Sequence, residues 1–236
     1  MTGEHERCLS LARGLDRNLY SLSSPAGSAG SGGANFMSNK IRAILLFGAP
    51  GSGKGTQGRI LEQIPNWYYF ASGDAFRTLR PEDPLGKTFL EFSSRGELVP
   101  DEFTVTLWQK KIESAIVKGT FQPDHDILLL DGIPRNEHQV EMMREHIDVL
   151  AMLHLTSKDK QQMIERIQRR ALIESRLDDA NLEVIHQRFE TYESETKSVM
   201  DCYPDNIIHH VDSGQTPVHV LQDILNAVAD IQVSGR

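Results

Sequence analysis

The chain has 236 residues, a length that accommodates one large α/β domain or two small ones. Its net charge of −8 argues against a general nucleic-acid surface, and its apolar runs are too short to span a membrane. Its two cysteines, Cys8 and Cys202, lack Cys-x-x-Cys partners, which excludes a zinc ribbon. We therefore expect a cytoplasmic protein in a reducing setting, with neither nucleic acid nor a membrane as its partner.

The first 36 residues differ in composition from the rest of the chain. Residues 21–34 consist almost entirely of Ser, Gly, Ala and Pro, a composition typical of a flexible linker that buries no core. We interpret residues 1–36 as a disordered extension, with a transit peptide as the alternative. Acidic residues in this segment argue against a secretory signal. The folded domain is predicted to span residues 37–236.

An apolar run over residues 40–47 leads into the sequence GAPGSGKGTQ at residues 48–57. A Gly-rich turn that ends in Gly-Lys, between a strand and a helix, is typical of a phosphate-binding loop. Its glycines let backbone N–H groups turn inward, the helix N-terminus adds partial positive charge, and Lys54 adds a mobile cation. Gly55 stands where the general pattern has Ser or Thr, and the hydroxyl follows at Thr56.

Strand-like and helix-like segments alternate along the rest of the chain. Further strands are predicted over 67–70, 126–131, 149–155 and 207–211. Helices are predicted up to about 63, through 75–118 with breaks at Pro81, Pro84 and Gly96, and over 136–146, 158–172, 181–200 and 217–232. Asp101 is predicted to be the N-cap of the helix that ends at Gly119. The alternation predicts an α/β fold with a doubly wound, five-stranded parallel sheet.

The nine histidines show no spacing typical of metal ligands along the sequence. His209 and His210 are adjacent in a predicted strand, so their side chains are expected to point to opposite faces of the sheet. We interpret both as ordinary strand residues.

Charged residues follow several of the predicted strands, at the edge where such sheets bind ligands. The phosphate loop, Asp74, Asp131 and Arg135 all lie at or near the carboxyl ends of strands. Two phosphate groups of charge −2 about 5 Å apart repel each other by on the order of 10 kcal/mol at an effective dielectric of ~20. Phosphoryl transfer between two nucleotides therefore needs cations, and six arginines are candidates: Arg77, Arg135, Arg166, Arg170, Arg176 and Arg188.

Two other features bear on the chemistry of this edge. A phosphate group that accepts the phosphoryl group needs no general base to remove its proton, because its second pKa is ~6 and it is mostly ionised at neutral pH. A solvated helix face is the alternative interpretation for each arginine, and a helix-capping carboxylate is the alternative for Asp131.

Four motifs resemble those of adenylate kinases and occur in the same order. The loop at 48–57 is similar to the phosphate loop of that family, which also has Gly and then Thr after the lysine. The others are SGD at 72–74 with Arg77, DGIPR at 131–135 and RLDD at 176–179. The resemblance runs from about residue 40 to 233. It implies a core with a helical NMP-binding insertion at about 72–101 and a short lid at about 171–175, without a zinc-binding insertion.

The resemblance implies a role for each matching residue. ATP would be held by Gly51, Ser52, Gly53, Lys54, Gly55, Thr56 and Arg166. AMP would be held by Ser72, Arg77, Glu97, Val99, Arg135 and Gln139. Catalysis would depend on Lys54, Asp131, Arg135, Arg170, Arg176 and Arg188. Asp131 and Asp74 would orient the water molecules of Mg²⁺ without ligating the ion directly.

The activity that the resemblance implies is reversible phosphoryl transfer from MgATP to AMP, giving two ADP, by a monomer that uses Mg²⁺ and no zinc. A UMP/CMP kinase is the close alternative. Those enzymes typically have Ala at the position of Ser72 and Asn at that of Gln139, so AMP is favoured. A nucleotide-binding sensor module and an NTP hydrolase that acts on a macromolecule are alternatives from other classes. The departures from the family are Ser72 for Thr, Ile133 for Phe, and one extra residue before Arg188.

Overall fold

A parallel β-sheet forms the centre of the computed structural model, which describes residues 40–174 and 181–231. Within those residues it has five strands, in the order β2-β3-β1-β4-β5. Their bounds are β1 Ile41–Phe47, β2 Trp67–Ala71, β3 Ile127–Asp131, β4 Ile147–Thr156 and β5 Ile208–Asp212. All neighbouring pairs are parallel, which confirms the predicted α/β fold. The predicted extension at 1–36, and Arg176 with its motif, lie outside the described residues.

The helices follow the strands in the alternation that the sequence predicts. They are α1 Lys54–Leu61, α2 Ser72–Arg77, α3 Pro84–Ser93, α4 Asp101–Val117, α5 Glu137–Met143, α6 Lys160–Glu174, α7 Leu182–Thr191 and α8 Pro217–Val228. The single helix predicted over 181–200 changes type after α7. It continues as a π-helical turn, Tyr192–Thr196, and then as a 3₁₀ helix, Lys197–Cys202. The π turn places both of its end residues in buried positions.

The central strands are buried because both of their faces are covered. β1 and β3 are almost continuously apolar, which is the pattern of a strand buried in a parallel sheet. α8 packs on one face of the sheet through Val220, Ile224 and Val228, which recur every four residues along one side of the helix. Among the described residues, no helix is long and apolar enough to cross a bilayer.

The start of α4 differs from the sequence prediction. Asp101 is the first helical residue, and Pro100 occupies the N-cap position, so the prediction that Asp101 caps the helix is wrong. The Asp101 carboxylate instead reaches α5, where it accepts a hydrogen bond from Asn136 Nδ2 at 2.9 Å. A long-range contact has therefore replaced the local capping bond that the sequence favours.

Candidate active site

The phosphate loop passes close to the backbone of two neighbouring elements. Gly48, Gly51 and Gly53 all have positive φ angles, 138°, 78° and 94°. A Cβ at Gly48 would lie 2.3 Å from the carbonyl oxygen of Leu155, and one at Gly51 would lie 2.5 Å from that of Met163. These two positions therefore need glycine for both their backbone angle and their space. The loop ends where α1 begins, so the N-terminal N–H groups of that helix face the same region.

Lys54 lies at the centre of the site. Its Nζ donates hydrogen bonds to the carbonyl oxygens of Gly48 at 2.6 Å and Ala49 at 3.0 Å. Removal from solvent lowers the pKa of Lys54 to about 8, and the charges of nearby arginines add to this effect, while Asp131 opposes it. The ammonium group is therefore close to several cations, an arrangement that an anionic ligand would stabilise.

Two carboxylates stand beside the loop. Asp131, the last residue of β3, accepts a hydrogen bond from Tyr69 Oη at 2.8 Å. Burial, and then the Asp131 charge, raise the pKa of Tyr69, so this hydroxyl remains a donor. Asp74 lies near the start of α2, with Arg59 Nη2 at 3.3 Å and Arg77 Nη1 at 3.5 Å. Both carboxylates thus lie at or near the carboxyl ends of strands, as predicted.

Two adjoining pockets open at this edge of the sheet. One is lined by predicted AMP-site residues, Ser72, Arg77, Glu97, Val99, Arg135 and Gln139. The other is lined by the phosphate loop with Asp74, Asp131, Arg166 and Arg170. Four cationic residues line both pockets: Lys54, Arg77, Arg135 and Arg188. The structure therefore brings together the predicted residues that it describes.

Arg135 lies at the junction of the pockets. Its Nε donates to the carbonyl oxygen of Gly132 at 2.9 Å. Burial lowers the pKa of Arg135 to about 10, with further lowering by Arg188 and Arg77 and an opposing effect of Asp131. The guanidinium groups of Arg188 and Arg77 thus each repel that of Arg135. A ligand that carries several negative charges would offset this repulsion.

The first pocket contains a buried polar network that the sequence did not reveal. The Gln139 amide is 1% exposed; its Oε1 accepts from the Arg135 backbone N–H at 2.9 Å, and its Nε2 donates to Asp101 Oδ1 at 2.7 Å. These two bonds fix which end of the amide carries the oxygen. One N–H and one lone pair of the amide remain for a ligand. Ser72 Oγ donates to the Gly132 carbonyl at 2.6 Å and keeps its lone pairs as acceptors.

The far end of the second pocket lies near β5 and α8. Arg166 Nη1 donates to the carbonyl oxygen of Ser213 at 3.0 Å, and Gln215 and Pro217 complete this wall. The sequence analysis did not predict that Ser213 and Gln215 line this pocket. Both follow β5, and this position directly after a strand was the signal that could have identified them as pocket residues. Arg169 also lines this pocket.

The described residues contain no group of three or more His, Cys, Asp or Glu side chains arranged to hold a metal ion. Asp131 and Asp74 nevertheless offer carboxylate oxygens beside the phosphate loop, and such hard oxygen donors suit Mg²⁺ and its water molecules. The donor set therefore fits an ion that arrives with a nucleotide and keeps most of its water.

The fold and the site together define a phosphate-loop α/β protein with two adjoining anion pockets. The adenylate kinase family model matches residues 46–208 of this chain. An adenylate kinase of Flavobacterium psychrophilum is 30% identical over 194 residues, covering 80% of this chain and 96% of the relative. One of Micrococcus luteus is 33% identical over 195 residues, covering 80% and 91%. The chain belongs to the adenylate kinase family.

Proposed function

We propose that this protein catalyses reversible phosphoryl transfer from MgATP to AMP, giving two ADP. The observation that carries the proposal is the set of cations shared by the two pockets: Lys54, Arg77, Arg135 and Arg188. Two nucleotides bound in these pockets would meet with their phosphates at that set. Membership of the adenylate kinase family supports the same reaction.

The donor pocket suits the triphosphate of MgATP. The loop from Gly51 to Thr56 and the N-terminus of α1 line this pocket and would present N–H groups to the β- and γ-phosphates, while Lys54 would add its charge. Arg166 lies at the far end, where the adenine of ATP would be bound. Asp131 and Asp74 would hold water molecules of the Mg²⁺ that accompanies ATP, and the ion would supply positive charge to offset that of the phosphates.

The acceptor pocket suits a nucleoside monophosphate. Arg77 and Arg135 line it near its junction with the donor pocket, and they would bind the phosphate of AMP. Ser72, Gln139 and the backbone of Glu97 to Val99 would contact the adenine. The fixed orientation of the Gln139 amide leaves one acceptor, which matches the exocyclic amine of adenine, and one donor, which matches a ring nitrogen.

Charge stabilisation would supply most of the catalysis. Phosphates of the two nucleotides repel by on the order of 10 kcal/mol at ~5 Å, and cations at the junction offset that repulsion as the γ-phosphoryl group moves. Arg135 and Arg188 line both pockets, and Arg170 and Arg176 are proposed to act beside them. No general base is needed, because the acceptor phosphate is already ionised at neutral pH.

We further infer that the lid at about 171–175 closes over bound ATP and excludes water, so that the γ-phosphoryl group reaches AMP rather than water. The end of α6 carries Leu172 and Ile173, both strongly exposed, and Ile173 lines the donor pocket. Burial of such apolar side chains on closure would favour the closed state. The boundaries of the lid and of the NMP-binding insertion at about 72–101 are part of this proposal.

The cytoplasmic location and the monomeric state are also proposals. Cys202 is a free, exposed thiol, which fits a reducing compartment. Light scattering during gel filtration tests the monomer directly, and a mass of about two chains would contradict it.

A steady-state assay with different acceptors tests the proposed function. Purified protein is given MgATP with AMP, CMP, UMP or GMP, and formation of the nucleoside diphosphates is followed. We expect AMP to be preferred, and Gln139→Ala to reduce the preference for AMP over CMP and UMP. A dominant rate with CMP or UMP would support the pyrimidine kinase instead. No transfer to any acceptor, despite tight ATP binding, would support the sensor module.

A further inference from the structure

Two histidines face each other on neighbouring strands, and neither lines the nucleotide pockets. His154 on β4 is the register partner of His210 on β5. Their Nδ1 atoms are 3.0 Å apart. The His154 side chain is buried, whereas His210 is exposed, so the pair is open to solvent from one side.

The geometry of the pair is close to that of two ligands on one metal ion. A tetrahedral Zn²⁺ ion with Zn–N bonds of about 2.0–2.1 Å holds two imidazole nitrogens roughly 3.3–3.4 Å apart. The Nδ1 atoms need to separate by only a few tenths of an ångström to reach that spacing. The two rings must also turn so that their Nδ1 lone pairs converge on one point, and the exposed His210 ring is the freer of the two to rotate.

The buried ring is held in place by a further contact. His154 Nε2 lies 3.1 Å from Tyr192 Oη. A ligating histidine usually donates from its outer nitrogen to such an oxygen, and this bond fixes the ring and its tautomer.

We propose that His154 and His210 bind a borderline transition-metal cation such as Zn²⁺ through their Nδ1 atoms, with water completing the coordination. The proton between the two nitrogens moves to Nε2 of the ring that carried it, so both rings stay neutral. Imidazole favours such cations over Mg²⁺, so the site is chemically distinct from the ion that accompanies ATP. His154 and His210 are 56 residues apart, so their sequence spacing gave no sign of the pair.

The site also contacts the wall of the nucleotide pockets. Phe47, which directly precedes the phosphate loop, packs against His154 with ring centroids 5.6 Å apart and against Tyr192 with centroids 6.0 Å apart. Tyr192 and Phe47 line the proposed AMP pocket. A bound cation would therefore fix the orientation of side chains behind that pocket.

Calorimetric titration with Zn²⁺ tests the proposal on the full chain, after removal of metals with a chelator and without nucleotide. His210→Ala removes the exposed ligand, and His209→Ala is the matched control, because it removes a histidine from the other face of the same strand. We expect wild type and His209→Ala to bind one more equivalent of Zn²⁺ than His210→Ala does. Equal binding by wild type and His210→Ala, or no binding by wild type, would overturn the proposal.

Thermal denaturation provides a second measurement that does not depend on counting sites. Zn²⁺ should raise the melting temperature of wild type and of His209→Ala, and it should raise that of His210→Ala less, because only the folded state brings the two rings together. The melting temperatures without metal show whether each variant folds. The same Zn²⁺-induced shift in all three proteins would refute the assignment.

Discussion

Asp101→Asn is expected to weaken AMP binding indirectly. Asp101 does not line the proposed AMP pocket, but it holds Gln139, which does. The Asp101 carboxylate accepts hydrogen bonds from Gln139 Nε2 at 2.7 Å and Asn136 Nδ2 at 2.9 Å. His138 Nδ1 lies 3.0 Å from its other oxygen. An asparagine at position 101 can keep its amide oxygen toward Gln139 and Asn136, which both donate to Oδ1, but it removes the negative charge and turns an N–H group toward His138. The bond that fixes the orientation of the Gln139 amide is then no longer charge-assisted.

The magnitude follows from the hydrogen bonds that are weakened. A hydrogen bond to a charged group contributes about 1.5–3 kcal/mol and a neutral one about 0.5–1.5 kcal/mol, and ~1.4 kcal/mol corresponds to a tenfold change in affinity. We therefore expect Asp101→Asn to raise KM for AMP by up to about tenfold and to lower the free energy of unfolding by about 1–1.5 kcal/mol. KM for MgATP should stay unchanged, because Asp101 does not line the donor pocket.

The two KM values are obtained from initial rates, with one substrate varied while the other is saturating. Glu102→Gln is the matched control, since it removes an exposed carboxylate from the same first turn of α4. Its KM for AMP should equal that of wild type. A wild-type KM for AMP in Asp101→Asn, or equal increases in both KM values, would refute the reasoning.

Three further predictions concern the loop, the junction and the packing of α1. Arg135→Ala should lower kcat by at least about 10³-fold while ATP binding, measured by calorimetry, is retained; a wild-type rate would contradict it. The pKa of Lys54 is about 8, so its charge is lost as pH rises through 8. ATP binding at pH 9 should therefore take up nearly one proton, measured in buffers of different ionisation enthalpy, and Lys54→Met should abolish the uptake. Gly58→Ala should destabilise the fold by about 1–3 kcal/mol in thermal denaturation, because its Cβ would lie 2.3 Å from the Tyr69 ring. An unchanged melting temperature would show that the ring moves freely.

The sequence predicted those features that depend on neighbouring residues. The apolar run of β1 and the glycines after it identify a strand and a phosphate loop, because both signals are local. Strand-end positions correctly predicted that Asp131 and Arg135 lie near each other at one edge of the sheet, where both line the same pocket.

Contacts between distant segments could not be predicted in the same way. Asp101 looked like a helix cap from its neighbours, but its carboxylate is used by Gln139 on α5. The contacts of His154 join β4, β5 and the π turn at Tyr192, and no local sequence pattern predicts these contacts. Such side chains are positioned by the packing of complete elements, so only the fold reveals them.

Direct transfer between two nucleotides is the central claim, and labelled phosphate measures it most directly. Protein is incubated with Mg²⁺, AMP and ATP labelled in the γ-phosphoryl group, and the label is followed into ADP and into inorganic phosphate. We predict that label passes to ADP, that little inorganic phosphate forms, and that transfer stops when Arg135 is replaced by Ala. Release of the label as inorganic phosphate at the same rate with and without AMP would contradict the account.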